Sequence, residues 1–406
     1  MARVLYVSQY FVGADQPGGV RHWHHCQALV RAGHEVTVIT SYVQHKERTV
    51  PARYEGKRMV RDEEDGLVVW RTYSTPGYGR DLRSRLSSYT SFALWGGIAA
   101  LRAGRHDVVV ASSPPLPAAA VAAAVARGRR SRFILEVRDL WPDSAVAMGL
   151  VTSPRIIGVA RRMEHFCYRS AARIVALTEG IRDGIVAQGV SPSKITLVTN
   201  GIDLVADDPA RRNGHPHLPV PDGAFIAMYV GAHGTYSSLG TVLDAAERLR
   251  GRADVRFVLV GGGDRKPALV EDARRRNLDN VTFVDPVPKR DVPAWLSRAD
   301  VCLLPYQDRE LFAGALPNKT FDYMGAARPI LAAVRPGEVS RLVETAACGV
   351  TVPPEDGAAM ARAIEGMAAD RDGARRMGES GATYVRAHYD RVALADRFVK
   401  VVESVV

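Results

Sequence analysis

Cysteine, aromatic side chains and long apolar runs are all scarce in this chain of 406 residues. The four cysteines, Cys26, Cys167, Cys302 and Cys348, lie far apart and form no Cys-x-x-Cys pair. That spacing argues against a zinc ribbon and a disulfide framework, and it predicts reduced core thiols in a cytoplasmic protein. Aromatics make up 7% of the residues, and no zinc-finger, basic-zipper or RNA-recognition pattern occurs. A nucleic-acid partner is therefore not expected. The longest apolar helical runs, near 91–101 and 116–126, are too short to span a bilayer. A strand-like run, Val4-Leu-Tyr-Val7, begins almost at once, so no signal peptide is expected. No G-x-G-x-x-G fingerprint follows that run, which removes the usual sign of a nicotinamide cofactor.

What the chain does contain is basic charge, glycine at strand ends and a repeated strand–helix alternation. Lys and Arg number 54 against 44 Asp and Glu, for a net charge of +10. The excess favours an anionic partner such as a nucleotide sugar or an acidic lipid headgroup. Apolar runs at 4–7, 35–40, 67–73, 107–111, 133–137, 173–177 and 195–199 read as strands, with helical patterns between most of them. Residues 42–65 are polar and basic and read as a loop excursion or a hairpin. Residues 204–223, rich in Asp, Pro, Arg and Gly without periodicity, read as a linker. The alternation then restarts, with strands at 224–230, 255–260, 281–284, 301–305 and 330–334. A chain of this length outgrows one core. We therefore expect an α/β protein of two Rossmann-like, doubly wound parallel-sheet domains, 1–205 and 206–385, facing across a cleft that holds a ligand, with an amphipathic helix toward 406.

Candidate functional residues gather at strand ends. Gly18-Gly19 after the first strand would let backbone approach a ligand closely at a helix start. His22, His24 and His25 follow. Their spacing does not repeat one helical face with a carboxylate partner, so they read as surface or loop residues and not as metal ligands. The strand at 133–137 delivers Arg138 and Asp139 to its carboxyl end, where open α/β sheets bind ligands; an internal salt bridge is the plainer reading of that pair. In 78–95, Arg80, Arg83 and Arg85 precede an apolar face of Leu86, Tyr89, Phe92 and Trp95. The pattern suits a membrane interface, and also a helix packed on its own domain.

The most informative stretch is 314–329, Gly-Ala-Leu-Pro-Asn-Lys-Thr-Phe-Asp-Tyr-Met-Gly-Ala-Ala-Arg-Pro. It follows a buried strand, and Gly314 and Pro317 give a turn ahead of a helix for which Asn318 is the expected N-cap. Free N–H groups at a helix start suit a phosphate. Lys319 in the first turn opposes the helix dipole, a cost that an anion nearby would offset. Asp322, three residues on, shares its face and can accept hydrogen bonds from hydroxyls. An ordinary surface helix start would use the same residues.

Gly18-Gly19, Ser112-Ser-Pro-Pro115, Glu136-Val-Arg-Asp-Leu-Trp-Pro-Asp143, Thr199-Asn-Gly-Ile-Asp203, the Gly261-Gly-Gly turn and residues 314–329 together carry a likeness. Over essentially its whole length the chain resembles the retaining family 4 glycosyltransferases (glycosyl transferases group 1) of the GT-B fold. It is most similar to the bacterial branch of fucosaminyl and related amino-sugar transferases. The resemblance implies that Gly18 and Gly19 face the donor diphosphate and the acceptor. It sets Arg138 and Asp139 where many relatives carry a His-Asp pair near the transferred sugar. Gly231 and His233 fall in the loop of the diphosphate pocket, Pro288 where backbone meets the base, and Asp322 on the second glutamate of a paired-glutamate motif that holds ribose hydroxyls. Leu316, Pro317, Asn318 and Glu338 complete the implied donor side, and a last helix, 386–406, would cross back onto the first domain. Two features depart from the pattern. Gly314 replaces the first glutamate, and the Arg and Lys that grip the diphosphate fall at Ala232 and Ser237. Lys319 is the best substitute cation, with Arg265 second.

The resemblance thus implies transfer of a hexose, an N-acetylhexosamine among the candidates, from a nucleoside-diphosphate sugar such as a UDP-sugar. The acceptor would be a hydroxyl of a carbohydrate, lipid-linked or small-molecule substrate in glycan, glycolipid or natural-product biosynthesis. Configuration would be retained, with no cofactor and no metal. Lys319, Arg138 and Asp139 are the catalytic candidates. No carboxylate pair of the glycosidase kind stands out. A GT-B epimerase or phosphorylase, and a non-catalytic nucleotide-sugar-binding subunit, are the competing readings. The missing glutamate and Arg-Lys pair keep the last one open.

Overall fold

The computed structural model describes residues 1–13, 20–43, 50–76, 82–204 and 218–406. Gly18, Gly19, Arg80 and most of the expected linker therefore lie outside the described residues. The chain divides into two compact units, Met1–Thr199 with Val392–Val406, and Asn200–Arg391.

The first unit runs β1 (Arg3–Val7), α1 (Arg21–Arg31), β2 (Glu35–Ser41), β3 (Met59–Glu64), β4 (Leu67–Thr72), α2 (Leu82–Arg102), β5 (Val108–Ser113), α3 (Leu116–Arg129), β6 (Arg132–Val137), α4 (Asp143–Ala147), α5 (Pro154–Ser170), β7 (Arg173–Ala176), α6 (Glu179–Ala187) and β8 (Ile195–Leu197). Its eight strands take the order β3-β4-β2-β1-β5-β6-β7-β8. All neighbours are parallel except the β3–β4 hairpin. Helices cover both faces, so both alternating sets of side chains must be apolar, and β1 shows why its run is continuous. Leu5 and Val7 enter a core with Phe92 of α2 and the alanines of α3, while Val4 and Tyr6 enter another with Cys26 and Leu29 of α1. Each such side chain stabilises by about 1.5–3 kcal/mol on full burial.

Helix α2 corrects the membrane expectation in part. Tyr89 and Phe92, placed on a membrane-facing stripe, are buried in the protein. The helix packs closely on α3: a Cβ on Gly97 would lie 2.6 Å from Val121. Among the described residues no helix is long and apolar enough to cross a membrane.

The second unit runs β9 (Phe225–Val230), α7 (Leu239–Arg248), β10 (Val255–Val260), α8 (Lys266–Arg275), β11 (Val281–Val284), α9 (Val292–Leu296), β12 (Val301–Pro305), α10 (Asn318–Gly325), β13 (Ile330–Ala333), α11 (Glu338–Thr345), β14 (Gly349–Val352), α12 (Gly357–Ala369) and α13 (Arg371–His388). Six parallel strands take the order β11-β10-β9-β12-β13-β14. Strand β14, short and half-buried, went unread in the sequence. The fold is two parallel-sheet α/β domains.

The tail is not one helix over 386–406. Helix α13 stops at His388, and α14 (Arg391–Glu403) starts after a break at Tyr389 and Asp390. Ile202 donates to the Tyr389 carbonyl at 2.9 Å, and Arg391 donates to the Ile202 carbonyl at 2.9 Å. Helix α14 then buries Leu394, Phe398 and Val402 in the core of the first unit, with Val4, Val36 and Val38.

Candidate functional site

In the second unit, three chain segments meet at the carboxyl ends of the central strands. Gly231, leaving β9, donates to the Val260 carbonyl at 3.0 Å, and Gly261, leaving β10, donates to Val284 at 3.1 Å. The His233 amide bonds the Gly262 carbonyl at 2.8 Å, and the Arg265 amide bonds the His233 carbonyl at 3.0 Å. The two turns press together so tightly that side chains have no room. A Cβ on Gly261, where φ is +144°, would lie 1.9 Å from the Gly231 carbonyl oxygen. Glycine is required here by both conformation and space.

His233 is fully buried under these turns, beside Tyr229 and Phe283, and neither ring nitrogen has a well-formed hydrogen bond. Burial, then the charge of Lys266, pushes its imidazole down to about 4, so the ring is neutral near pH 7.

Lys319 reaches the same place from α10. Its Nζ lies 2.7 Å from Tyr229 Oη and 4.2 Å above the Tyr229 ring centroid. A Cβ on Gly231 would sit 3.0 Å from that ammonium. Among the described residues no carboxylate lies within ion-pair distance of Lys319. Tyr229 Oη is itself held, 2.8 Å from the Ala232 carbonyl oxygen and 2.9 Å from Ser237 Oγ. A half-buried ammonium, fixed in direction beside glycine backbone and lacking a counter-charge, can take an anion.

The rest of the expected donor side is placed as follows. Asn318 is not the N-cap: Pro317 holds that extended position, and Asn318 is the exposed first helical residue, with no capping hydrogen bond from the N-cap side chain. Leu316 packs on the core of the second unit, and Asp322 is half-buried on α10. Glu338 opens α11 instead of standing in a loop; it is 9% exposed and accepts from Arg341 at 3.0 Å. A Cβ on the preceding Gly337 would lie 2.2 Å from the Ala313 carbonyl oxygen, so Glu338 starts next to the turn that carries Gly314. Arg265 and Pro288 are exposed, Arg265 as the N-cap of α8.

In the first unit, Arg138 and Asp139 do leave β6 together but are held by different partners. Arg138 Nε donates to Ser112 Oγ at 2.8 Å and Nη2 to the Pro114 carbonyl at 3.1 Å. Asp139 accepts from Ser144 Oγ at 2.8 Å, and burial pushes its carboxyl up.

The histidine reading needs correction. His22 and His25 are buried on α1, not surface or loop residues, and they do have a carboxylate partner, Glu136, one residue before the end of β6. His22 Nε2 lies 3.0 Å from Glu136 Oε2, Arg21 Nε donates to Oε1 at 2.7 Å, and Tyr6 Oη donates to Oε2 at 3.4 Å. Burial alone would push the Glu136 carboxyl up. Arg21, then His22 and His25, outweigh it and hold the group well below the usual carboxylate range. Burial keeps both imidazoles below their ordinary value. The signal was available: a glutamate inside Phe-Ile-Leu-Glu-Val, a fully buried strand, must find a partner.

Comparison with known proteins follows the division of the chain. Residues 18–201 match the family described as glycosyl transferase 4-like domain, and residues 224–370 match glycosyl transferases group 1. The chain is 27% identical over 351 residues to a putative colanic acid biosynthesis glycosyl transferase, WcaI, of Escherichia coli, covering 83% of this chain and 84% of that one. It is 28% identical over 262 residues to an alpha-D-kanosaminyltransferase of Streptomyces kanamyceticus, covering 63% and 65%. Among solved structures, Anabaena HepE in complex with UDP-glucose superposes with a TM-score of 0.70 at 15% identity, over the whole of both chains. That likeness concerns the fold, and it agrees with the two parallel sheets and with both domain matches. The chain belongs to the family 4 glycosyltransferases of the GT-B fold.

Proposed function

We propose that this glycosyltransferase moves a hexosyl group from a nucleoside-diphosphate sugar to an acceptor hydroxyl with retention of configuration. The observation that carries the reading is Lys319: an ammonium without a carboxylate partner among the described residues, aimed by Tyr229 at the glycine turns that leave β9 and β10. It would neutralise charge growing on the departing diphosphate, together with the N–H groups of α10, and that stabilisation is strongest where the charge develops. Asp322 would hold ribose hydroxyls, and the diphosphate would help take the acceptor proton, with no metal and no further cofactor. The first unit would carry the acceptor and the second the donor. UDP is the favoured nucleotide, since HepE holds UDP-glucose, and an amino sugar is a candidate hexose, since a kanosaminyltransferase is among the relatives.

Calorimetry across common sugar nucleotides, followed by turnover with an acceptor panel in EDTA, tests the reading. Binding of one donor and acceptor-dependent nucleotide release are expected, and the anomeric signal of the product reports retention. Absence of binding by every donor removes the proposal. A second reading, a non-catalytic donor-binding subunit, draws support from Gly314 and Ala232 standing where the family resemblance implies functional side chains. It predicts donor binding without release. The protein would work in the cytoplasm, with a peripheral contact on the inner face of the membrane. Here the exposed Arg83 and Leu94 of α2 support such a contact better than the buried Tyr89 and Phe92. Failure to float with anionic vesicles at low salt would remove that idea.

A further inference from the structure

We propose that Glu136 is the positioning residue of the ligand face of the first unit. This single buried carboxylate, acting through Arg21 and His22, fixes the backbone leaving β1 and the backbone leaving β8. The inference rests on the transfer reading above.

Three lines leave this carboxylate. The first is Arg21. With Nε bound to Glu136, the guanidinium turns Nη2 to the Val198 carbonyl at 2.6 Å and Nη1 to the Thr199 carbonyl. Val198 and Thr199 close the first part of the first unit, and the next residue, Asn200, opens the second unit. The second is His22. Its Nε2 faces Glu136, and its Nδ1 lies 2.9 Å from Ser8 Oγ, which in turn donates to the Tyr10 carbonyl at 3.1 Å. Ser8 to Tyr10 is the backbone that leaves β1. The third is the strand itself, since Arg138 and Asp139 stand two and three residues beyond Glu136. Loops after β1, β6 and β8 lie at the carboxyl end of one parallel sheet, the end where α/β sheets bind ligands.

The arrangement is unlike a pair kept for stability. A buried ion pair gives little over apolar packing of equal volume, yet here a glutamate with no exposed surface commits an arginine and a histidine to three backbone carbonyl groups, directly or through Ser8. Glu136 and His22 are buried, and Arg21, with 11% of its side chain exposed, spends its donors on protein acceptors. Their action is therefore indirect: they set where the loop backbones stand when an acceptor arrives.

Glu136→Gln tests this, because it keeps the shape while removing the charge that orients Arg21 and turning one of the two accepting oxygens into an N–H donor. We expect kcat/KM for the acceptor to fall at least tenfold, while the donor dissociation constant by calorimetry stays within twofold. Ser8→Ala, which removes the hydroxyl bridging His22 and Tyr10 and leaves only their direct 3.3 Å contact, should give a smaller fall of the same kind. Should Glu136→Gln fail to fold, the neutral pair Arg21→Gln/Glu136→Gln and Ser8→Ala carry the same comparison. Acceptor kinetics within twofold of wild type in a folded variant overturn the proposal. So do donor and acceptor losses that merely track the melting temperature. A wild-type protein that transfers to no acceptor overturns the proposed function itself, and the inference with it, whereas an active wild type matched by Glu136→Gln overturns the inference alone.

Discussion

Lys319→Ala separates two costs that the structure keeps apart. In the free protein it removes one hydrogen bond to a phenol and one cation–π contact, at 2.7 Å and 4.2 Å. The first, with a charged donor, is worth about 1.5–3 kcal/mol and the second about 0.5–1 kcal/mol. Tyr229 is not orphaned, since it keeps the Ala232 carbonyl and Ser237. The variant should therefore fold, with its melting temperature lowered by about 4–16 °C. Under the proposed function the same ammonium would face growing diphosphate charge, where a charge-assisted hydrogen bond is worth about 1.5–3 kcal/mol. Lost in the transition state, that amounts to roughly a tenfold to hundredfold fall in rate. The assay is steady-state nucleotide release at saturating acceptor, with a thermal melt on the same sample. The fall should appear in kcat more than in donor KM, because the charge being met grows as the bond breaks. Tyr229→Phe keeps the ring face but drops the oxygen that aims Nζ, and a loss of about twofold to tenfold is expected from one misdirected contact. A folded Lys319→Ala protein turning over at the wild-type rate would refute the assignment of this lysine and, with it, the best support for a diphosphate at these turns.

Other expectations concern stability. His233 has a folded value of about 4 against roughly 6.5 in the unfolded chain. The unfolded state therefore binds the proton first. The stabilisation from a neutral ring is fully present above pH 6.5 and is lost as pH falls toward 4. Between pH 7 and pH 4.5 the wild type should lose about 2 kcal/mol more than His233→Gln in urea titrations, and parallel losses would contradict the burial argument. Gly261→Ala meets the Gly231 carbonyl and must keep φ at +144°, so it should cost about 2–4 kcal/mol in denaturant melts. Gly234→Ala, with nothing within 4 Å of the new methyl, should stay within about 0.5 kcal/mol.

The sheets were legible because each buried strand is apolar on both faces. Val4–Val7 and Val255–Val260 need no partner to be recognised, and glycine at 231 and 261 announces backbone that a side chain would block. Helix ends were less so. Asn318 is a favoured cap by residue type, yet Pro317, with φ of −74° and ψ of 149°, already takes the extended cap conformation and leaves Asn318 inside the first turn. Propensity ranks residues; it does not say which of two neighbours the chain direction will select. The apolar stripe in 78–95 left two readings open for a related reason. An apolar stripe on a helix reports that something apolar covers it, and in α2 that cover is the protein's own core at Tyr89 and Phe92.

Glu136 shows a different limit. The histidines were weighed against a carboxylate on their own helix, where partners stand three or four residues away. Their actual partner lies more than a hundred residues on, brought across because β6 and β1 flank β5 in the sheet order. No periodicity within α1 could reveal it. The strand could, because a charge at a position with no exposed surface obliges the fold to supply an opposite charge, and the excess of arginine makes Arg21 an available one. The same reasoning applied to Lys319 gives the opposite result. Its ammonium is half-buried and well directed, yet the described residues offer it a phenol and no carboxylate. One buried charge is satisfied from within the fold and so holds loops in place. The other has only a phenol among the described residues, and under the proposed function this asymmetry between Glu136 and Lys319 would separate positioning from chemistry.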